Sequence, residues 1–286
     1  MPQQKTGSAN DPLAAQVAQA FEQARTGDGS AVSGLQEQGA AVVAHLGPYV
    51  HDADPEARVA AVALLKGLGG AEAVPLLAEA LADSDQDIRQ RAALALHENY
   101  PPYELAKVAE VGPALRKSIA AGNHSAAAIL LAGWFPGNEM QAALEPLATA
   151  GGEKTELRPA SPVVDVALAA HVALSLMGVD PSRLQLQQSI QSGSLDELRF
   201  LLEAIQHIDA PEVLHPLADR TLSDRRETVS PGPIGAGDRL RLCDEAVNAF
   251  GQNFNLKLGF DASERRRFTD AEISQVDKAV DGLMPR

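Results

Sequence analysis

The chain has 286 residues, of which 45% are hydrophobic but only 4% aromatic. That balance favours close-packed Ala- and Leu-lined helices over strands, which draw on Val, Ile, Tyr and Phe. The formal net charge is −14, a surface that repels nucleic acid and anionic lipid and attracts a basic partner.

Residues 1–10 are polar, lack the apolar stretch of a signal peptide, and are expected to be disordered. Residues 12–25 and 35–50 read as a first helical pair around a Gly/Ser-rich turn at 27–30. Next comes an internal repeat. Asp54-Pro55-Glu56-Ala57-Arg58 opens one unit and Asp85-Gln86-Asp87-Ile88-Arg89 opens another, 31 residues on. A fixed period of this size marks a repeat architecture. Asp54 and Asp85 stand where a helix needs a carboxylate cap, and Pro55 stands at a first helical position. Val59, Val62, Leu65 and Leu68 then recur at helical spacing up to Gly69-Gly70. Val74, Leu76, Leu77 and Leu81 form the face of a second helix, which stops before Asp83. Neither amphipathic helix buries its face alone, so stacking is required.

The pattern continues more loosely. Ser125–Trp134 and Met140–Ala148 read as a hairpin, followed by a polar loop at 150–162. Val163–Met177 reads as a helix closed by Gly178. Leu195–Ile208 and Pro211–Leu222 form the next hairpin. A loop then runs through Ser230–Gly237, and Asp238–Phe250 reads as helix. Thr269-Asp270-Ala271-Glu272 is a capping box before a last helix ending near Leu283.

Residues 52–97, with their Asp-x-x-x-Arg starts, aliphatic runs and Gly break, resemble HEAT repeats, in the short bacterial form also found in phycobilin lyases. The resemblance implies an all-α, right-handed α-solenoid of HEAT-like helical hairpins with an irregular C-terminal cap. The expected division is a disordered segment at 1–10, a repeat array at 11–222, and a loop with capping helices at 223–286. Helix content above about 55% and no sheet are expected. The family's usual role is a binding scaffold. Some relatives are bilin lyases or isomerases, others nucleic-acid repair proteins, and the fold alone does not choose among them.

The residues that carry chemistry are sparse. Asp83-Ser84-Asp85-Gln86-Asp87 opens like a calcium loop, but the sixth and twelfth positions are Ile88 and Leu94 instead of Gly and Glu. The Gly-rich 232–237 loop lacks the Lys-Ser/Thr of a phosphate loop. The seven histidines show no ligand spacing. The single cysteine, Cys243, permits no intrachain disulfide and reads as buried. No apolar run reaches the roughly 18 residues of a membrane span. No cofactor and no metal are expected, and the location expected is cytoplasmic. Arg58 and Arg89 read as bonded within their own repeats, to Asp54 and Asp85 or to nearby carbonyls. Trp134 reads as packed on the neighbouring hairpin.

Charge is uneven along the chain. Residues 1–223 carry 14 Lys/Arg against 27 Asp/Glu, and residues 224–267 carry 8 against 7. Arg265, Arg266 and Arg267, with Arg225 and Arg226, are therefore the candidate partner-binding residues. Core packing offers no reason for three consecutive arginines. The function expected is non-enzymatic: a scaffold for a basic protein, of adaptor or inhibitor and immunity type, with no part for nucleic acid or membrane.

Overall fold

The computed structural model describes residues 11–228 and 239–283. Expectations for residues 1–10 and for the Ser230–Gly237 loop lie outside these. Helix accounts for 67% of the described residues, in keeping with the Ala/Leu composition. Two compact units divide it, residues 1–123 and 124–286.

In the first unit, α1 spans Pro12–Ala24, with Asp11 accepting the N–H groups of Leu13 and Ala14. A short α2, Ser30–Gly34, leads into 3-10 winding over Leu35–His45 and then α3, Gly47–Val50. The regular helix expected over 35–50 does not form. Gly39, at φ 65°, takes a left-handed conformation that breaks it. The repeats follow as α4 (Pro55–Leu68), α5 (Ala73–Ala80), α6 (Gln86–Asn99), α7 (Pro102–Leu105) and α8 (Val111–Ala120). Helix α4 packs on both α5 and α6, and α5 on α8. Their shared core contains Leu64, Leu65, Leu77, Leu81, Ile88 and Leu96, all buried. Each such side chain contributes about 1.5–3 kcal/mol. Phe21 of α1 is fully buried and stacks on Tyr49, ring centres 3.9 Å apart.

In the second unit, α9 (Ala126–Ala132) is buried on every side. Then come α10 (Asn138–Thr149), α11 (Val166–Leu176), α12 (Asp180–Ser192), α13 (Leu195–Glu203), α14 (Pro211–Leu222), α15 (Leu242–Asn253) and α16 (Asp270–Leu283). The stretch Ile205–His207, expected to continue α13, winds as a 3-10 turn. The capping box at Thr269 and Glu272 is present. A two-stranded antiparallel ribbon pairs β1 (Lys154–Thr155) with β2 (Val164–Asp165), where the sequence suggested loop and no sheet. Helix α11 accordingly begins after β2, not at Val163. The ribbon is anchored: the Thr155 hydroxyl accepts the N–H of Ala126 at 2.9 Å, satisfying an orphan donor at the start of α9.

Candidate functional site

The turns opening the repeats are built by paired aspartates. Asp54 accepts the N–H of Glu56, and Asp85 that of Asp87, each at 2.9 Å. These are the caps the sequence indicated. Two residues earlier, Asp52 and Asp83 accept the N–H of Asp54 and Asp85 at 2.9 and 2.7 Å. Each of these carboxylates also receives a guanidinium from the preceding helical layer. Arg25 pairs with Asp52, and Arg58 reaches Asp83 at 2.8 Å. The Arg25 contact holds the Asp52 carboxyl below its usual range.

The repeat arginines do bond neighbouring carbonyls. Arg58 donates to Asp52 O and Ala53 O, at 2.8 and 3.3 Å. Arg89 donates to Asp83 O and Ser84 O, both at 2.9 Å. Neither bonds Asp54 or Asp85. The carboxylate that Arg58 takes is Asp83 of the next turn, and Arg89 reaches on to Ala121 O at 2.8 Å. This ladder is structural.

The five candidate arginines all lie in the second unit. Glu227 links their two segments, accepting from Arg267 at 2.7 Å. All five are engaged within the chain. Arg226 grips Asp224, whose carboxyl is pushed up by burial but held below its usual range overall by that guanidinium. Arg225 donates to Leu222 O and Asp270. Arg266 donates to both oxygens of Glu272 and lies 4.3 Å above the Phe268 ring. Its guanidinium lowers the Glu272 carboxyl to about 2. Packing therefore does account for Arg266, contrary to the sequence argument. Its site was legible only from Phe268 and Glu272 together. Beneath them, buried Asp244 accepts the N–H groups of Arg241 and Phe268, both at 2.9 Å, tying α15 to the start of α16.

Arg265, also engaged within the chain, is exposed and lines a cleft of about 320 Å³ with Arg158, Arg199, Leu202, Glu203, Leu240, Glu245 and residues of α15. Sequence reading missed this cleft, because Arg158, Arg199 and Arg265 come from distant segments. Arg199 is 7% exposed, and its Nε donates to Glu245 at 2.9 Å. A second groove, of about 250 Å³, lies in the first unit against α1, α2 and α4. Ala60, Ala63 and Val59 give it an aliphatic wall, with Glu56 beside them.

The remaining candidates have local roles. Trp134 donates its indole N–H to His207 at 2.9 Å, on the neighbouring hairpin. Exposed His51 contacts Glu79 at 2.8 Å. Cys243 is buried, and burial pushes its thiol up, away from the reactive thiolate. Among the described residues, no three His, Cys, Asp or Glu side chains are grouped to hold a metal ion. None of the described helices is long and apolar enough to cross a membrane.

No curated protein matches the chain. The family model for HEAT repeats matches residues 43–132, the stretch holding the aspartate-capped turns and helices α4 to α9. Over those residues the chain is similar to HEAT repeats, and the fold and the architecture of the turns there agree with that likeness.

Proposed function

We propose that the chain is a non-enzymatic interaction scaffold that binds a protein with a basic surface, as an adaptor or as an inhibitor of immunity type. The observation that carries this reading is the charge of the HEAT stretch. Glu56, Glu72, Glu79, Asp87, Glu104 and Glu110 are all exposed along α4 to α8, in a chain of net charge −14. Stacked repeats present such side chains on an extended surface, and that surface steers an oppositely charged partner. Tyr103, 55% exposed on α7, adds a rigid amphipathic side chain of the kind that anchors interfaces. The side chains suited to chemistry are occupied otherwise: His124 with Glu153, His207 with Trp134, and Cys243 in the core. A cytoplasmic setting belongs to the same reading, since the one thiol has no partner cysteine.

Affinity capture from the native host, repeated at rising salt, tests it. The expected partner is basic. Capture should fade as the Debye length shrinks below about 10 Å, and weaken when Tyr103 is changed to Ala. An acidic partner, or one held equally at high salt, refutes the charge argument.

A further inference from the structure

We propose that the groove against α1, α2 and α4 receives one lysine or arginine side chain of the partner protein, its aliphatic stem on α4 and its cationic head on Glu56. This deepens the scaffold reading and rests on it.

The 31-residue period supplies the comparison. Asp87 in α6 corresponds to Glu56 in α4, and Arg91 to Ala60. In α6 the acid is neutralised from within: Nε of Arg91 lies 2.6 Å from Asp87, one helical turn away. In α4 the acid is kept and the arginine is gone. The Glu56 carboxylate has no ion pair or hydrogen bond among the described residues; only its backbone N–H is capped, by Asp54. The strip that the Arg91 stem crosses in α6 is, in α4, part of the groove wall, with Ala60 between Glu56 and Ala63 on one helix face. A basic side chain arriving from outside would repeat there the contact that α6 makes internally.

Shape and charge agree. At about 250 Å³ the groove is smaller than the roughly 300–1,000 Å³ of small-molecule pockets, and it suits one long side chain. Val59, Ala60 and Ala63 offer an aliphatic wall to the methylenes of a lysine or arginine, whose head stays wet at the rim beside exposed Glu56. Glu56 is the one charged residue among the described residues of the lining, so no cation there opposes entry. An apolar side chain would use the wall and leave Glu56 without a counter-charge.

Amide NMR of the full chain tests the site. The probes are end-blocked pentapeptides Ala-Ala-X-Ala-Ala, with X arginine, lysine or norleucine. The two basic peptides should shift the signals of Ala60 and Ala63 saturably in the millimolar range, and the norleucine peptide far less. Glu56→Gln alters an exposed side chain, so its fold should persist by circular dichroism. It should weaken binding about two- to fivefold, the range of an exposed ion pair. Ala60→Arg gives α4 the side chain that α6 already carries and should abolish the shifts; Glu56→Gln decides the matter if that variant does not fold. No saturable shift at the groove, equal binding of the norleucine peptide, or undiminished binding to Glu56→Gln overturns the proposal. Partner capture separates it from the scaffold reading. A basic partner held equally by Ala60→Arg overturns the groove alone, and an acidic partner overturns both.

Discussion

Arg58 in α4 holds Asp83 in the turn before α6, its Nε 2.8 Å from Oδ2. The other oxygen of that carboxylate accepts the N–H of Asp85 at 2.7 Å. One side chain thus fixes the turn, the cap of the next helix and the stacking of two layers. Both partners are mostly buried, at 13% and 9% exposure, so their hydrogen bonds are shielded from competing water.

Asp83→Ala should therefore cost about 2–3 kcal/mol, because it deprives a mostly buried guanidinium of its carboxylate and frees the turn. Asp85→Ala removes only a cap and should cost about 1 kcal/mol. Urea midpoints of the two variants check the ordering. Equal losses would mean that Asp83 is no more than a second cap.

Gly133 ends α9 with ordinary right-handed backbone angles, yet it has no room for a side chain. A Cβ there would lie 3.0 Å from both the Cα and the carbonyl oxygen of Ala173 in α11. Gly133→Ala should destabilise the second unit by about 1–3 kcal/mol, despite alanine's better helix propensity. A neutral or stabilising effect in thermal unfolding would show that α9 and α11 stand further apart.

The caps at Asp54 and Asp85 were legible because each side chain serves its own helix two residues on. The bond from Arg58 to Asp83 spans 25 residues, and no local rule reaches that far. Helix α12 was missed altogether. Its sequence is rich in Gln and Ser, and its buried face is only Ser182, Leu186 and Ile190, four residues apart. Helix α15 was placed four residues early. Arg241, an unusual residue for the task, holds the N-cap position, and Asp244 at the third helical position reaches back to its N–H. The cleft around Arg199 combines three segments that tertiary packing alone brings together.

Burial holds His171 below its ordinary value of 6.5. Below 6.5 the unfolded chain takes up a proton that the folded chain declines. Stability is full above that value and is lost as pH falls through it towards the folded value. Glu272 has the same sign further down, losing its contribution between 4.5 and about 2. Urea midpoints should decline from about pH 7 to pH 5, and His171→Leu should flatten that slope. An unchanged slope in the variant would assign the loss to other groups.

Trp134 is the only tryptophan in the chain, and its indole N–H can only donate. Nδ1 of His207 must therefore accept, which makes the buried imidazole neutral. His207→Leu leaves the indole N–H without its acceptor and should cost about 1–3 kcal/mol, with a shift in tryptophan emission. His207→Gln supplies a carbonyl oxygen and should recover part of the loss. If the Leu and Gln variants match in stability, the bond contributes little.

The turn ladder makes the first unit modular in a strict sense. Residues 54–84 contain one cap, one arginine and one receiving aspartate; the cap and the arginine recur 31 residues on at Asp85 and Arg89, and the receiving aspartate stands 31 residues back at Asp52. A tandem copy of this segment would meet the existing chain at both seams with contacts already in use: a guanidinium below, a capped helix above. Such an array can grow or shrink by one period while every junction keeps its chemistry. Unequal recombination can therefore change its length without inventing an interface, and the reach of its outer surface can evolve separately from the rules that hold it together.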